Sequence, residues 1–258
     1  MDFEIPEAKK RQYEVDGYFV LESIIPDADL QLLRTECQTA VDEIDAEMDL
    51  KGTDVLGLSH RGKRYFCGQS YRTHPRLGSF LFSDLMASIC RATIGDNVYF
   101  HNDQYVVKSG KTGMKFSWHQ DSAYVQARIG DHPEHLTCWC ALDDVNEENG
   151  TAYLLPISRY GKRELAEHVI DEETNDRVGY TGDDPGEPII APVGSIAVFS
   201  SLTFHRSGPN ITGAKRRVYL AQYSPAPLIR KPGEYPQYFA EPFLKEGISI
   251  IDNNLSKT

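Results

Sequence analysis

The chain has 258 residues, of which 40% are hydrophobic and 10% aromatic, and its 27 basic and 38 acidic residues give a formal net charge of −11. This composition predicts a globular protein with a sizeable core, built as one large domain or two small ones. The acidic balance argues against nucleic acid or an anionic membrane as the main partner. No run approaches eighteen apolar residues, so we expect no transmembrane helix.

The amino terminus and the cysteines indicate the cellular compartment in which we expect the protein. Residues 1–6 contain no basic stretch followed by an apolar run, so we expect no secretory signal and a cytoplasmic protein. The five cysteines are Cys37, Cys67, Cys90, Cys138 and Cys140. Their odd number and scattered positions favour buried free thiols over a disulfide or a zinc site.

The first part of the chain is predicted to be mainly helical. Residues 8–15 read as a short charged helix, and residues 17–21 as the first strand because they are rich in β-formers. A long amphipathic helix follows over 26–48, with Asp27 as its N-cap and apolar residues near helical spacing.

The next stretch predicts loops and then a second helix. Residues 51–78 lack a regular apolar period and are rich in Gly, His, Arg and Tyr, which favours loops that flank a site. Residues 80–94 return to a helical period, and Gly95 is the expected end of that helix.

Beyond Gly95 the period changes from helical to alternating. Residues 98–108 are predicted to form a strand, and Asn102, Gln104 and Lys108 share one face of it. Two amides and a lysine suit the wall of a polar pocket, although a solvent-facing strand would have the same pattern.

The second half of the chain is predicted to be rich in strands. The predicted strands lie at residues 116–121, 136–142, 151–156, 195–199 and 216–224. Residues 158–188 have little apolar period, which is typical of a lid or a disordered loop. We expect this segment and the tail around 235–243 to cover a pocket mouth. About seven strands after two helical elements predict a β-sandwich or barrel with helices packed outside.

His119 and Asp121 form a His-x-Asp pattern in the strand over 116–121. In an extended segment, residues two apart point to the same face, so the imidazole and the carboxylate can reach one point while Gln120 faces away. By itself the pattern is equally consistent with a surface histidine near an aspartate.

His205 is the candidate for a third ligand, because it lies in a turn at the end of a buried strand, with Ser207 two residues on. Two imidazoles and one carboxylate leave three open positions on a metal, an arrangement typical of ferrous iron in oxygenases. Zinc prefers a closed tetrahedral site or a single open position.

An iron oxygenase of this kind needs two electrons from a co-substrate, and a 2-oxo acid can supply them while chelating the iron. Its far carboxylate then needs a cation, for which the fork of a guanidinium is best suited. Arg216 lies eleven residues after His205, and Arg217 faces the opposite side of the same strand. Alternation alone does not choose between the two arginines.

Several motifs together carry a resemblance to a known family. They are Asp16-Gly17-Tyr18-Phe19-Val20, Trp118-His119-Gln120-Asp121, Leu142-Asp143-Asp144, Glu148-Asn149-Gly150 and His205-x-Ser207-Gly208-Pro209-Asn210. On these motifs the chain resembles the phytanoyl-CoA dioxygenase family of Fe(II)/2-oxoglutarate oxygenases, which includes ectoine hydroxylase, over roughly residues 10–225. One departure is Ser158-Arg159-Tyr160-Gly161, where many members have Gly-Ser-His after the proline.

The resemblance implies a mainly β fold with flanking helices and a double-stranded β-helix core, that is, a cupin-like jelly roll. It implies a single domain over 1–258, with a helical part over about 1–95, the core over about 96–225 and a tail over 226–258.

The resemblance also assigns roles to residues. It implies that His119, Asp121 and His205 bind the iron and are the catalytic residues. It selects Arg216 over Arg217 for the far carboxylate of 2-oxoglutarate, with Ser207 alongside. The further contacts that it implies are Lys108 and Trp139 with the co-substrate and Asn102 and Gln104 with the substrate.

The implied activity is hydroxylation of an unactivated C–H bond with Fe(II), 2-oxoglutarate and O₂, releasing succinate and CO₂. Because halogenases of this architecture replace the carboxylate ligand with a small residue, Asp121 favours hydroxylation over halogenation. Desaturation, ring expansion, other rearrangement or epimerisation would use the same ligands.

Two rival functions come from other classes. A cupin-like metal-binding module without turnover would need neither Arg216 nor Ser207. A zinc hydrolase would need a general base beside the metal, and no strong candidate stands out.

The expected partner is a small polar metabolite or natural-product intermediate, with neither nucleic acid nor membrane, and no pattern in the chain predicts an oligomeric state.

Overall fold

The structure is a computed structural model that describes residues 3–172, 174, 176–230 and 235–251. Its α-helices are α1 (Glu7–Asp16), α2 (Asp27–Lys51), α3 (Gly78–Leu81), α4 (Asp84–Thr93), α5 (Asp121–Ile129) and α6 (Ile157–Tyr160). Short 3-10 turns lie at Ser70–Arg72 and Pro75–Leu77.

The strands, in chain order, are β1 (Tyr18–Leu21), β2 (Val55–Leu56), β3 (Ser59–His60), β4 (Arg64–Gly68), β5 (Val98–Lys108), β6 (Phe116–His119), β7 (Leu136–Ala141), β8 (Ala152–Leu155), β9 (Val169–Ile170), β10 (Arg177–Val178), β11 (Glu187–Pro188), β12 (Ile196–Ser200), β13 (Phe204–Ser207), β14 (Arg216–Ser224), β15 (Ile229–Arg230), β16 (Tyr235–Pro236), β17 (Glu241–Lys245) and β18 (Ile248–Ser249).

Two antiparallel sheets form the centre of the fold. The larger contains the order β12-β7-β14-β5, and the smaller has the order β11-β8-β13-β6. Along the chain, β5, β6, β7 and β8 alternate between the sheets, and β11, β12, β13 and β14 alternate again. This is the topology of a jelly roll, and the predicted mainly β class with flanking helices is confirmed.

The larger sheet extends beyond the jelly roll at both edges. β1 pairs with β12, while β4 pairs with the far side of β5. The prediction of loops over 51–78 is therefore wrong for Arg64–Gly68, a strand that lies beside Lys108–Gln104. Its five residues show no clear alternation, and its partner is distant in sequence, so local pattern did not reveal it.

The two faces of the larger sheet pack against different layers. One face contacts α2 and α4 through a hydrophobic cluster that includes Leu33, Ile89 and Tyr219. The other faces the smaller sheet through a second cluster that includes Trp139 and Leu154. All five cysteines are buried and free, and no helix in the described ranges is long and apolar enough to cross a membrane.

Two helix boundaries differ from the sequence prediction. Asp27 is the first residue of α2 rather than its N-cap, and Pro26 precedes it without a side-chain capping bond. The predicted helix over 80–94 is divided at Phe82, because Ser83 is extended and its hydroxyl accepts a hydrogen bond from Met86 N at 3.4 Å. A serine that caps a new helix in this way ends the preceding one.

The packing of α2 gives a matched test of the core. Leu33 is fully buried and Leu50 is 89% exposed in the same helix. We expect Leu33→Ala to lower the free energy of unfolding by about 2–5 kcal/mol, because it leaves a cavity. Leu50→Ala should change it by less than about 0.5 kcal/mol. Urea unfolding followed by circular dichroism measures both, and equal losses would contradict this packing.

Candidate metal centre and adjoining cavity

Three side chains of the jelly roll converge between the sheets. Ligand atoms of His119, Asp121 and His205 all lie within 4.8 Å of one another, and all three residues are buried. The two histidines are opposite each other in the pairing of β6 with β13, and their ring centroids are 4.0 Å apart. The sequence placed these three residues together, and the structure does so too.

Asp121 reaches this point differently from the prediction. It is the first residue of α5, and only His119 belongs to the strand β6. Gln120 remains extended and faces away, where its amide donates to the carbonyl oxygens of Glu164 and Leu202 at 2.8 and 2.7 Å. Because Gln120 is still extended, the side chains of His119 and Asp121 point to the same side, as the alternation predicted.

Hydrogen bonds orient the two imidazoles toward a common point. His119 Nδ1 donates to Ser117 O at 2.8 Å, and His205 Nδ1 donates to Thr203 O at 3.1 Å. A carbonyl can only accept, so each Nε2 keeps its lone pair. These Nε2 atoms lie 3.9 and 3.5 Å from Asp121 Oδ1. Burial, with a smaller contribution from His205, lowers the pKa of His119 well below its usual value, which also favours a neutral ligand.

The second oxygen of Asp121 is held by two side chains that the sequence reading did not identify as part of the site. Asp121 Oδ2 accepts from Thr137 Oγ1 at 2.5 Å and from Gln222 Nε2 at 3.0 Å. Gln222 Oε1 in turn accepts from Asn102 Nδ2 at 2.9 Å. These bonds leave Oδ1 free, so the three groups fit a divalent metal with an N₂O donor set. The sequence did contain a signal for Gln222. It lies on the same face of β14 as Arg216, and the two residues between them on that face are apolar.

A cationic group lies at another end of the same space. Arg216 is 1% exposed, and its guanidinium forms one hydrogen bond, from Nη2 to Gly150 O at 2.6 Å. Its Nε and Nη1 have no partner among the residues that the structure describes, and its Cζ lies 5.7 Å from the Trp139 ring centroid. Burial lowers the pKa of Arg216 to about 10, so it stays charged at neutral pH. By contrast, Arg217 faces outward and pairs with Asp143 at 2.5 Å.

Gly150 has a steric reason to be glycine. It has a φ of +78°, and a Cβ there would lie 2.6 Å from Gly208 O. Only glycine combines this backbone conformation with so close an approach. The Glu148-Asn149-Gly150 motif thus brings a carbonyl oxygen to Arg216.

Lys108 and Ser207 adjoin Arg216. Lys108 Nζ donates to Ser207 Oγ at 2.7 Å and to Gly208 O. Lys108 is opposite Arg216 in one strand pairing and opposite Arg64 in the other, so three cations lie in a row across β4, β5 and β14. Burial, and then repulsion from Arg216 and Arg64, hold the pKa of Lys108 well below its usual value.

Arg64 is a further member of this row, and it lies in the stretch 51–78 for which the sequence predicted loops. It is fully buried, and its Nη1 lies 3.5 Å from Asp176 Oδ1. Its guanidinium Cζ lies over the rings of Phe66 and Phe116 at 5.3 and 5.2 Å. The burial of Arg64 could not be predicted from local sequence pattern, because it depends on the pairing of β4 with β5, a strand distant in the chain.

A cavity of about 200 Å³ connects the metal-ligand group with the cationic row. The predicted site residues that line it are Asn102, Gln104, Lys108, His119, Asp121, Trp139, His205, Ser207 and Arg216. The expectation that one face of β5 forms a pocket wall thus agrees with the structure. The lining also includes residues that were not assigned to the site from the sequence, among them Arg64, His101, Arg128, His135, Arg206 and Gln222.

The two segments expected to cover the mouth behave differently. Gln237 and Tyr238 of the tail line the cavity. None of the described residues of 158–188 does so. That segment packs behind β6, where Gly179 N donates to Trp118 O at 2.9 Å and Ser117 N donates to Asp176 Oδ2 at 3.0 Å. It therefore supports the His119 strand from outside.

Comparison with known proteins adds family information. The model of the family described as phytanoyl-CoA dioxygenase (PhyH) matches residues 13–218. A protein of Stutzerimonas stutzeri named "Probable alpha-ketoglutarate-dependent hypophosphite dioxygenase" is 31% identical over 188 residues, which cover 68% of this chain and 62% of that protein. The chain thus spans less than two thirds of the length of this relative.

Two solved structures share the fold. The non-heme alpha ketoglutarate dependent carbocyclase SnoK from nogalamycin biosynthesis has a TM-score of 0.68 at 18% identity, covering 94% of this chain and 95% of that one. EctD from S. alaskensis, solved with 2-oxoglutarate and 5-hydroxyectoine, has a TM-score of 0.67 at 23% identity, covering 92% and 83%. At these identities the similarity establishes the architecture.

The bonds to Asp121 give a test of the metal centre. Thr137→Val removes the hydroxyl that donates to Asp121 Oδ2 while keeping the shape of the side chain. We expect a loss of about 10- to 100-fold in affinity for a divalent metal, because the carboxylate keeps only the hydrogen bond from Gln222 and is less well oriented. Calorimetric titration with Mn(II) or Co(II) measures this change.

Thr151→Val is the matched control for that experiment. Thr151 is also buried, and its hydroxyl donates to Ile189 O, outside the cavity. We expect unchanged metal affinity in this variant. A similar loss in both variants would mean that the effect comes from general destabilisation.

Proposed function

The chain belongs to the phytanoyl-CoA dioxygenase family, and from this premise we propose that it is an Fe(II)/2-oxoglutarate-dependent dioxygenase. The proposed reaction is hydroxylation of an unactivated C–H bond of a small polar substrate. Substrate, 2-oxoglutarate and O₂ give hydroxylated substrate, succinate and CO₂, so one oxygen atom enters the substrate and the other enters succinate.

The observation that carries this proposal is the unpartnered guanidinium of Arg216. Two of its nitrogen atoms are buried without a hydrogen-bond partner in the described residues, and Arg216 lines the cavity that His119, Asp121 and His205 also line. An unsatisfied buried cation is costly unless a ligand pairs with it. The far carboxylate of 2-oxoglutarate would complete this site, with Ser207 and Lys108 beside it.

The donor set supports iron as the metal. His119, Asp121 and His205 would hold it, because their free Nε2 and Oδ1 atoms face one another and offer two nitrogens and one oxygen. Fe(II), when bound, supplies the redox chemistry that couples oxidative decarboxylation of 2-oxoglutarate by O₂ to oxidation of the substrate. A non-catalytic metal-binding module would have no need for the buried cations.

The chain's own residues have three tasks in this reaction. Arg216 and Ser207 bind and orient the co-substrate, with Trp139 as part of the wall. Asp121, fixed by Thr137 and Gln222, keeps a carboxylate at the metal. Asn102 and Gln104 lie on the cavity face of β5, and we assign them to the substrate side.

The size of the cavity favours a small substrate. Its volume of about 200 Å³ is below the roughly 300–1,000 Å³ of sites for drug-sized ligands, and it must also contain the co-substrate. The relatives named above act, by their names, on hypophosphite or contain 5-hydroxyectoine. Both are small polar molecules, which supports the same class here.

The neighbouring arginines provide a sharp test. Under anaerobic conditions, Fe(II) and 2-oxoglutarate should give the weak visible charge-transfer band of the chelate. In Arg216→Gln, we expect the Kd of 2-oxoglutarate, measured by titrating this band, to rise by about 30-fold or more. The reason is that a buried charge pair is lost, which costs about 2–5 kcal/mol.

Arg217→Gln is the control, because Arg217 faces away from the cavity and pairs with Asp143. We expect its Kd for 2-oxoglutarate to be unchanged within about twofold. Absence of the band in the wild type would refute the proposed function. An unchanged Kd in Arg216→Gln would refute only the assignment of Arg216.

A further inference from the structure

A group of unpartnered polar side chains lies at the end of the cavity remote from Arg216. Both ring nitrogens of His101 and of His135, both amide atoms of Gln237, and Asn102 Oδ1 are buried without a partner at hydrogen-bond distance and angle in the described structure. All four residues line the cavity. A backbone group of Phe239 lies near the His101 ring and one of Pro133 lies near the His135 ring, but neither completes such a bond. Asn102 is six residues from Lys108 along β5, so this group is roughly 20 Å from the cationic row.

The fold brings these residues together from three separate segments. In the pairing of β5 with β14, Phe100 and Asn102 are opposite the consecutive residues Tyr223 and Gln222. His101 is thus the extra residue of a β-bulge, which turns it toward the same side as Asn102. Bulges commonly redirect side chains in this way next to functional sites.

His135 and Gln237 come from the other two segments. His135 lies two residues before Thr137 and shares its face, while its backbone pairs with Ser201 at 2.8 Å. The tail is fixed over the bulge, because Phe239 N donates to His101 O at 2.9 Å and Gln237 N donates to Leu228 O at 2.8 Å. Gln237 therefore points into the cavity from an anchored backbone.

Such a group is unusual as a structural feature. Buried polar side chains in native proteins nearly always have hydrogen-bond partners, and each exception calls for an explanation. Burial lowers the pKa of His101 to about 3 and that of His135 well below its usual value, so both rings are neutral. Each can donate one hydrogen bond and accept one. Several free donors in one place fit a ligand that accepts several hydrogen bonds.

The charge of the cavity indicates what that ligand carries. Among the described residues, the basic side chains that line it are Arg64, Lys108, Arg128, Arg206 and Arg216, and the one acidic side chain is Asp121. This is the reverse of the net charge of −11 of the whole chain. A low-dielectric cavity with one sign of charge selects ligands of the opposite sign.

One cation belongs to the unpartnered end. Arg216 and Lys108 are assigned to the co-substrate, and Arg64 pairs with Asp176. Arg206 lies on β13 beside Ser207, with its guanidinium 3.8 Å from the Tyr153 ring centroid and donating to Pro185 O. Arg128 lies at the rim, with its guanidinium 5.2 Å from the ring centroid of Tyr238 and no ion pair to a carboxylate in the described residues. The His101 ring centroid lies 5.5 Å from that of the same Tyr238, so Arg128 places a positive charge at this end of the cavity.

We propose that His101, His135 and Gln237, with Arg128 at the rim, bind an anionic oxygen head group of the substrate, either a carboxylate or a phosphorus oxyanion. This inference rests on the proposed function, because it takes the bound anion to be the substrate of the dioxygenase. Asn102 connects the head group to the metal centre, because it bonds to Gln222, which bonds to Asp121. The substrate is therefore a small anion that reacts within a short distance of its charged group.

The test measures binding rather than turnover. Calorimetry would measure ligand binding to the anaerobic protein loaded with Fe(II) and 2-oxoglutarate. The carboxylates tested are L-proline and cyclopentanecarboxylate, and the phosphorus oxyanions are hypophosphite and methylphosphonate. Cyclopentanecarboxamide is the uncharged counterpart of cyclopentanecarboxylate. We expect at least one of these anions to bind. If the head group is a carboxylate, cyclopentanecarboxamide should bind at least tenfold more weakly than cyclopentanecarboxylate. Whether the carboxylates or the phosphorus oxyanions bind identifies the chemical class of the head group.

The variants His101→Phe and His135→Phe remove the polar atoms and keep an aromatic ring. We expect each to raise the Kd of the bound anion at least tenfold and to leave the Kd of 2-oxoglutarate unchanged. Their melting temperatures should stay equal or rise, because an unsatisfied buried polar group is removed. A merely structural histidine would instead lose stability on replacement.

His60→Phe is the matched control, since His60 Nε2 is also buried without a partner but lies outside the cavity. It should change neither Kd. If the chelate band forms but no anion binds, or if binding is the same in His101→Phe and His135→Phe, the head-group site is refuted and the proposed function stands. If no band forms but an anion binds and depends on both histidines, the proposed function fails and the head-group site stands. Failure of both measurements refutes both.

Discussion

The burial of two cations without a carboxylate partner in the described residues, Arg216 and Lys108, is the constraint on which this structure depends. Each loses hydration on folding, and the loss lowers the pKa of both groups. Moving a charge into a protein interior costs several kcal/mol even after relaxation. The protein limits that cost with carbonyl and hydroxyl oxygens at Gly150, Ser207 and Gly208. The remaining cost must be offset by packing elsewhere.

That packing lies mostly on the side of the larger sheet that has no function in the site. α2 and α4 cover its outer face with a continuous apolar cluster, and β14 is paired on both sides, to β5 and to β7. A strand held in this way cannot shift to relieve the charge of Arg216. The helices that the reaction does not use therefore keep the cationic row and the metal ligands at fixed separation, as a preorganised site requires.

Local sequence pattern was sufficient wherever a residue's role follows from its own strand. The bounds of β5 and β14 and the polar face of β5 follow from alternation with period two. The convergence of His119, Asp121 and His205 followed from combining that period with a jelly-roll arrangement. The family resemblance chose between Arg216 and Arg217, which alternation could not do, and the outward ion pair of Arg217 agrees with the choice.

The remainder depended on contacts between distant segments. Arg64 is buried only because β4 adds to the edge of β5, and Gln222 meets Asp121 only because α5 begins one residue after the extended Gln120. His101 faces the cavity through a bulge, which changes the alternation at a single position and leaves no mark in composition. These residues are typical of what single-strand reasoning misses.

The two ends of the cavity bind anionic oxygen by different means, and this difference can separate co-substrate from substrate. At one end Arg216 carries a permanent charge in a fixed fork that matches a carboxylate. At the other, His101 and His135 are neutral donors, and the nearest positive charge, Arg128, is exposed at the rim. A dicarboxylate gains more from the guanidinium than from neutral imidazoles, so it should occupy the Arg216 end first. Specificity then arises from a difference in affinity between two sites for the same chemical group, without a steric barrier against the wrong ligand.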